Sequence, residues 1–104
     1  MNTSNYKIII TPTAYKEINK IYDYISEELY ANKAAKDLMG QVEKKVQNLK
    51  YAPKIHKEIE KIDEVKRKYR RIVIKNFVIL YTINEQTKTV YVSHMYYGKR
   101  NYTN

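Results

Sequence analysis

Six cations and no acid fall within ten residues of this chain, Lys66 to Lys75 (KRKYRRIVIK). The stretch is β-rich, and alternate side chains of a strand point to opposite faces. Arg71 therefore shares a surface with Arg67 and Tyr69, while Arg70 goes to the other side. A guanidinium on such a surface can grip a phosphate or carboxylate through two parallel hydrogen bonds. The competing reading is an edge strand protected from pairing by Lys and Arg, but six cations exceed what that protection needs. The tail, His94-Met95-Tyr96-Tyr97-Gly98-Lys99-Arg100-Asn101-Tyr102, is the second candidate. Gly98 directly follows a strand, which suits a special backbone turn. Beyond it Arg100 and Tyr102 can swing over the face that carries Arg71. Cleaving RNA needs no protein nucleophile, because the ribose 2′-OH attacks. It needs a proton acceptor, a proton donor and cations for the phosphorane charge. His94, Tyr97 and Tyr102 with Arg71 and Arg100 can supply that set. His94, however, has the strand parity of Val90 and Val92, which points it toward a core. His56 reads as a surface residue, and Glu17, Glu27 and Glu28 as the solvated side of a helix.

Other chemistries lack their residues. There is no cysteine, hence no disulfide and no thiolate metal site. Two histidines are too few for an ordinary zinc site without added carboxylates. No phosphate-binding glycine loop, HExxH or GxSxG occurs, and neither a metal nor a cofactor is expected. No segment approaches the roughly 20 apolar residues of a spanning helix, and Lys7 with the polar start argues against a secretory signal. The expectation is a cytoplasmic protein without membrane contact. With 20 Lys and Arg against 11 Asp and Glu, the net charge of +9 suits an anionic partner. Tyrosine supplies twelve of the thirteen aromatics, a bias that an AT-rich genome explains as well as binding does.

The elements that must position these residues follow from hydrophobic period. At 104 residues the chain is expected to form one domain, 1–104. Tyr6 to Thr11 (YKIIIT) reads as a short strand. Thr11-Pro12 is the pairing of an N-cap and a first-turn proline. Ala14, Ile18, Ile21, Tyr22, Ile25 and Leu29 then mark one face of a helix of about five turns. Asn32 is placed to cap a second helix with the stripe Ala35, Leu38, Met39, Val42, Val46 and Leu49, ended by Pro53. The short break between them predicts an antiparallel helical hairpin. Residues 54–65 are compatible with a helix or an ordered loop. From Tyr69 the period becomes two, and the turns at Lys75-Asn76 and Asn84–Lys88 predict antiparallel strands at about 66–74, 77–83 and 89–97. The predicted class is α+β, in the order β-α-α-β-β-β. The Phe77 and Val90 faces lie on the helices, and the face of Arg71, Val78, Thr82, Tyr91 and Ser93 is left open.

Two stretches carry a family resemblance. Tyr69 to Tyr81 (YRRIVIKNFVILY) resembles the central strands of RelE/ParE toxins, which commonly read YRR, a short turn, then aromatic-V-I-L-Y. Tyr97-Gly98-Lys99-Arg100-Asn101-Tyr102 resembles their closing glycine, basic pair, Asp or Asn, and tyrosine. With the helical hairpin before the sheet, the likeness covers nearly the whole chain. It implies a growth-inhibiting toxin of a type II toxin–antitoxin module, neutralised by a cognate acidic antitoxin. The family divides by target: RelE-like members cut mRNA in the ribosome, whereas ParE-like members inhibit DNA gyrase and are not nucleases. Arg71 and Arg100 match cations of the nuclease branch. That branch has an arginine three residues before the tyrosine corresponding to Tyr81, where this chain has Val78. Losing one charge-stabilising group commonly costs about 100-fold in rate. The resemblance therefore favours gyrase inhibition by protein binding over enzymatic activity, with Arg67, Tyr69, Arg71, Lys99, Arg100 and Tyr102 as binding residues. The alternatives are a ribosome-dependent, metal-independent endoribonuclease and an inactive nucleic-acid-binding homologue.

Overall fold

The structure, a computed structural model, describes residues 5–59 and 68–98. The chain opens with β1 (Lys7–Ile10) and passes at once into α1 (Pro12–Asp23). Thr11 caps that helix as its sequence predicts: its Oγ1 accepts a hydrogen bond from the Ala14 N–H at 3.1 Å, and Pro12 opens the first turn. The remainder of the predicted five-turn helix is not α-helical. Tyr24–Glu28 forms one π-helical turn, in which the Leu29 N–H reaches back to the Tyr24 carbonyl and the Ala31 N–H to that of Ile25. The wider turn rotates the stripe. Ile18, Ile21 and Ile25 pack against the core, but Leu29, predicted on the same face, is exposed. Tyr30 closes the turn with φ 52°, a left-handed conformation ordinarily taken by glycine or asparagine.

The second helix, α2 (Asn32–Asn48), buries Ala35, Leu38, Val42 and Val46 as its spacing predicts. Two details differ. Ala31 occupies the N-cap position and Asn32 is already helical, and the helix stops at Asn48, five residues before Pro53. The segment left open by the sequence includes a short strand, β2 (Glu58–Ile59), followed by β3 (Tyr69–Ile74), β4 (Phe77–Asn84) and β5 (Thr89–Tyr97). The sheet order is β1-β5-β4-β3-β2, with β1 parallel to β5 and the other pairings antiparallel.

Both helices cover one face of this sheet. Leu38, Val42 and Val46 from α2, Leu49 at its C-cap and Ala14 from α1 meet Ile72, Ile74, Ile79, Tyr81, Val90, Val92 and Met95. The Phe77 and Val90 faces are thus the core faces, as their greasier alternation predicts. The Tyr81 hydroxyl donates to the Pro53 carbonyl at 2.6 Å, tying the chain after α2 to the middle of the sheet. Among the described residues no helix is long and apolar enough to cross a membrane.

Candidate functional site

The side of the sheet facing away from the helices is set by register. Arg71 pairs with Leu80 across β3 and β4, and Leu80 pairs with His94 across β4 and β5. Cross-strand partners share a face, so Arg71, Leu80 and His94 form a single row over three strands. Val73, Val78 and Tyr96 form the row on one side of it, and Thr82 with Tyr91 lie on the other.

The Tyr-Arg-Arg run divides as its parity requires. Arg70 is an internal strut: Nη1 donates to the His56 carbonyl at 2.7 Å, and Nη2 pairs with Glu58 at 3.3 Å. These bonds hold the segment after α2 against β3. Arg71 is exposed and its guanidinium has no partner among the described residues. Tyr69 shares the face of Arg71, as predicted, but not its accessibility. It is 2% exposed and packs with Val78 and Leu80 beneath Ile59 and Tyr96. The face expected to lie open is therefore floored by a second, smaller apolar cluster. Gly98 belongs to this arrangement for a reason other than a special turn, since its φ is not positive. Its N–H donates to the Asn76 carbonyl at 2.7 Å, and a Cβ there would run into Cγ2 of Val78. The glycine permits close approach of β5 to Val78.

His94 is on this face because of an irregularity that strand parity cannot reveal. Val92 pairs with Tyr81 on the core side, yet His94 pairs with Leu80, so Ser93 is an extra residue and a β-bulge reverses the alternation. Met95, not His94, then enters the core, at 1% exposure. The bulge lies where β1 ends and β5 loses its neighbour. Side chains from the start of α1 replace that neighbour: Thr11 Oγ1 donates to the Ser93 carbonyl at 3.4 Å, and Glu17 Oε1 accepts from the Met95 N–H at 3.0 Å. Glu17 also approaches His94 Nδ1 at 3.3 Å. Its reading as a solvated helix residue is thus corrected. An acid one and a half turns into a helix that follows an edge strand was the only signal for this contact, and a weak one.

Tyr97 is brought elsewhere. It pairs with Phe77, with ring centroids 5.7 Å apart, and helps line an apolar groove of about 740 Å³ with Ile21, Tyr24, Ile25 and Leu29 on the helix side. It does not join Arg71 and His94. Arg67, Lys99, Arg100 and Tyr102 lie outside the described residues. His56, read as a surface residue, is half-buried beside the Tyr81 ring at 6.1 Å, and that burial, aided by Lys45, pushes its pKa down.

The architecture matches chains of solved toxin–antitoxin systems over nearly their full length. A chain of the chromosomal ParDE toxin–antitoxin system from P. aeruginosa superposes with a TM-score of 0.69 at 13% identity, covering 89% of this chain and 96% of that one. A chain of the RelBE2 toxin–antitoxin complex from Mycobacterium tuberculosis gives 0.61 at 18% identity, covering 92% and 94%. One from the archaeal RelE–RelB complex of Pyrococcus horikoshii OT3 gives 0.61 at 12%, covering 93% and 99%. At these identities the likeness establishes the fold. No curated protein matches by sequence. The family model for the ParE toxin of type II toxin–antitoxin systems (parDE) matches residues 8–102, and the chain belongs to that family.

Proposed function

We propose that this toxin arrests growth by binding a protein target through the sheet face of Arg71, and that the target is DNA gyrase. The observation that carries this reading is the floor of the face. Tyr69, Val78 and Leu80 are buried together there, with Tyr96 packed against them. Above that floor Val73, 55% exposed, and the half-buried Tyr96 share a row with Val78 beside the exposed Arg71, an apolar patch with a guanidinium anchor that suits docking of another protein. It suits a phosphorane poorly, because Val78 stands where the nuclease branch carries a cation. The neighbours solved as toxin–antitoxin complexes and the charge of +9 support a cognate acidic antitoxin as the neutralising partner. Arg100, Lys99 and Tyr102, just past Gly98, remain the other proposed binding residues.

One observation favours a second reading, the ribosome-dependent endoribonuclease. Arg71 and His94 flank Leu80 in one row, and that places a cation and an imidazole on the same surface. Induction in a host cell, with DNA and protein synthesis followed separately by pulse labelling, separates the two readings. Gyrase inhibition is expected to stop DNA synthesis first, to block supercoiling by purified gyrase and to leave transcripts whole. Immediate loss of translation with cut mRNA would replace it by the endoribonuclease. Arg71→Ala is expected to abolish the effect in either case, and undiminished toxicity in that variant would remove Arg71 from the site.

A further inference from the structure

Glu17 does more than fill a helix position. Its Oε1 accepts the Met95 N–H at 3.0 Å and lies 3.3 Å from His94 Nδ1, with Oε2 at 3.4 Å from the same nitrogen. The backbone bond pins the carboxylate, because the Met95 N–H lies on the β5 edge past the last residue of β1 and needs an acceptor. An ionised carboxylate only accepts hydrogen bonds, so a neutral imidazole that meets it must do so with Nδ1–H. The other nitrogen, Nε2, then carries a lone pair and has no partner among the described residues. The bulge at Ser93 has already put His94 into the row of Arg71. Both side chains are about one-third exposed, 36% for His94 and 34% for Glu17, so the pair is reachable yet shielded from full solvation.

We propose that Glu17 is a positioning residue, holding His94 in the Nδ1–H tautomer so that Nε2 is available as a proton acceptor on the sheet face that carries Arg71. A carboxylate behind a histidine is a recurrent way to fix ring orientation and tautomer for proton transfer. Its use in catalysis rests on the endoribonuclease reading above; the tautomer itself does not. In that reaction the ribose 2′-oxygen bonds to the adjacent phosphorus and its proton passes to His94 Nε2. The P–O5′ bond breaks, O5′ takes a proton from solvent water, the imidazolium gives its proton to the hydroxide so formed, and Arg71 faces the phosphoryl oxygens. A 2′,3′-cyclic phosphate and a 5′-hydroxyl result, with no change of oxidation state.

The test is a long-range proton–nitrogen NMR spectrum of the ¹⁵N-labelled protein with the imidazole neutral, beside E17A and H94A, the latter assigning the signal. The wild type is expected to carry its proton on Nδ1, and E17A to return the ring to the commoner Nε2–H form. A wild-type spectrum showing Nε2–H overturns the proposal, as does an Nδ1–H signal that E17A leaves unchanged. If E17A does not fold, E17M, of similar size and without a strong acceptor, takes its place, and a wild-type Nε2–H spectrum overturns the proposal whatever the variant does. In cleavage of RNA on translating ribosomes, H94A is expected to lose at least about 100-fold, and E17A about tenfold or more in kcat with little change in KM. An Nδ1–H tautomer that depends on Glu17, with no RNA cut by the wild type, keeps the positioning contact and discards the endoribonuclease reading.

Discussion

Arg70 and Arg71 are adjacent and chemically identical, yet the sheet assigns them opposite work. Arg70→Ala removes a charge-assisted bond to the His56 carbonyl and a partner of Glu58, and is expected to lower stability by about 1–2 kcal/mol in urea unfolding. Arg71→Ala removes an exposed group and is expected to stay within about 0.5 kcal/mol of wild type while toxicity is lost. Equal destabilisation by the two would contradict the assignment. Gly98 and Val78 make a second pair. Gly98→Ala drives a methyl into Val78 Cγ2 and is expected to cost roughly 1–3 kcal/mol, as overpacking does. Val78→Ala frees that space, so the double variant is expected to recover part of the loss. Simple additivity of the two single effects would show that the atoms do not meet.

Two of the elements depart from regular geometry, and each departure displaces a side chain. The bulge in β5 turns His94 outward and Met95 inward. The π turn after α1 turns Leu29 outward and leaves Tyr30 in the left-handed region at φ 52°. A residue with a Cβ is strained there by about 1–2 kcal/mol, and the Tyr30 side chain, 91% exposed, has little packing to offset it. Tyr30→Gly is accordingly expected to raise the urea midpoint, corresponding to about 0.5–1 kcal/mol after the entropy of the freer unfolded chain is subtracted. A lower midpoint would mean that the tyrosine makes stabilising contacts.

At the scale of the molecule, stability against pH is held by two groups of opposite kind. Burial pushes the Tyr81 hydroxyl up to about 12 from 10.0, against a smaller opposing pull from Arg70. The folded state thus holds this proton where the unfolded chain releases it. Its contribution is complete below about pH 10 and is lost as pH rises from 10 toward 12, by roughly 2–3 kcal/mol in all. Tyr81→Phe is expected to remove that alkaline decline, while forfeiting about 1–2 kcal/mol at neutral pH for the unpaired Pro53 carbonyl. An unchanged alkaline slope would assign the decline to other groups. Glu85 works in the other direction. The Lys54 ammonium at 2.8 Å and the Tyr6 hydroxyl at 2.8 Å hold its carboxyl below the usual range. Its contribution is present above the ordinary carboxylate pKa and fades as pH falls through the lowered value. The cluster is exposed, so the effect is expected to be small and to shrink with salt.

Much of this molecule was readable from local pattern. Thr11-Pro12 marked the start of α1, alternation marked β3, β4 and β5 and their core face, and the Lys75-Asn76 turn set the pairing of Ile74 with Phe77. The separation of Arg70 from Arg71 followed from parity alone. These features depend on neighbours within a few residues, where backbone geometry dictates which side chains share a face. The composition of the candidate site depended on contacts between distant segments. The end of β1 beside β5 made room for the bulge that moved His94, and Glu17, 77 positions earlier in the chain, reached its ring. Tyr69 was placed on the right face but covered by Ile59 and Tyr96, and Tyr97 was drawn to the helix side by Phe77. An edge strand that runs out of partners must satisfy its backbone with whatever the fold brings alongside. Tertiary structure alone decided what that was.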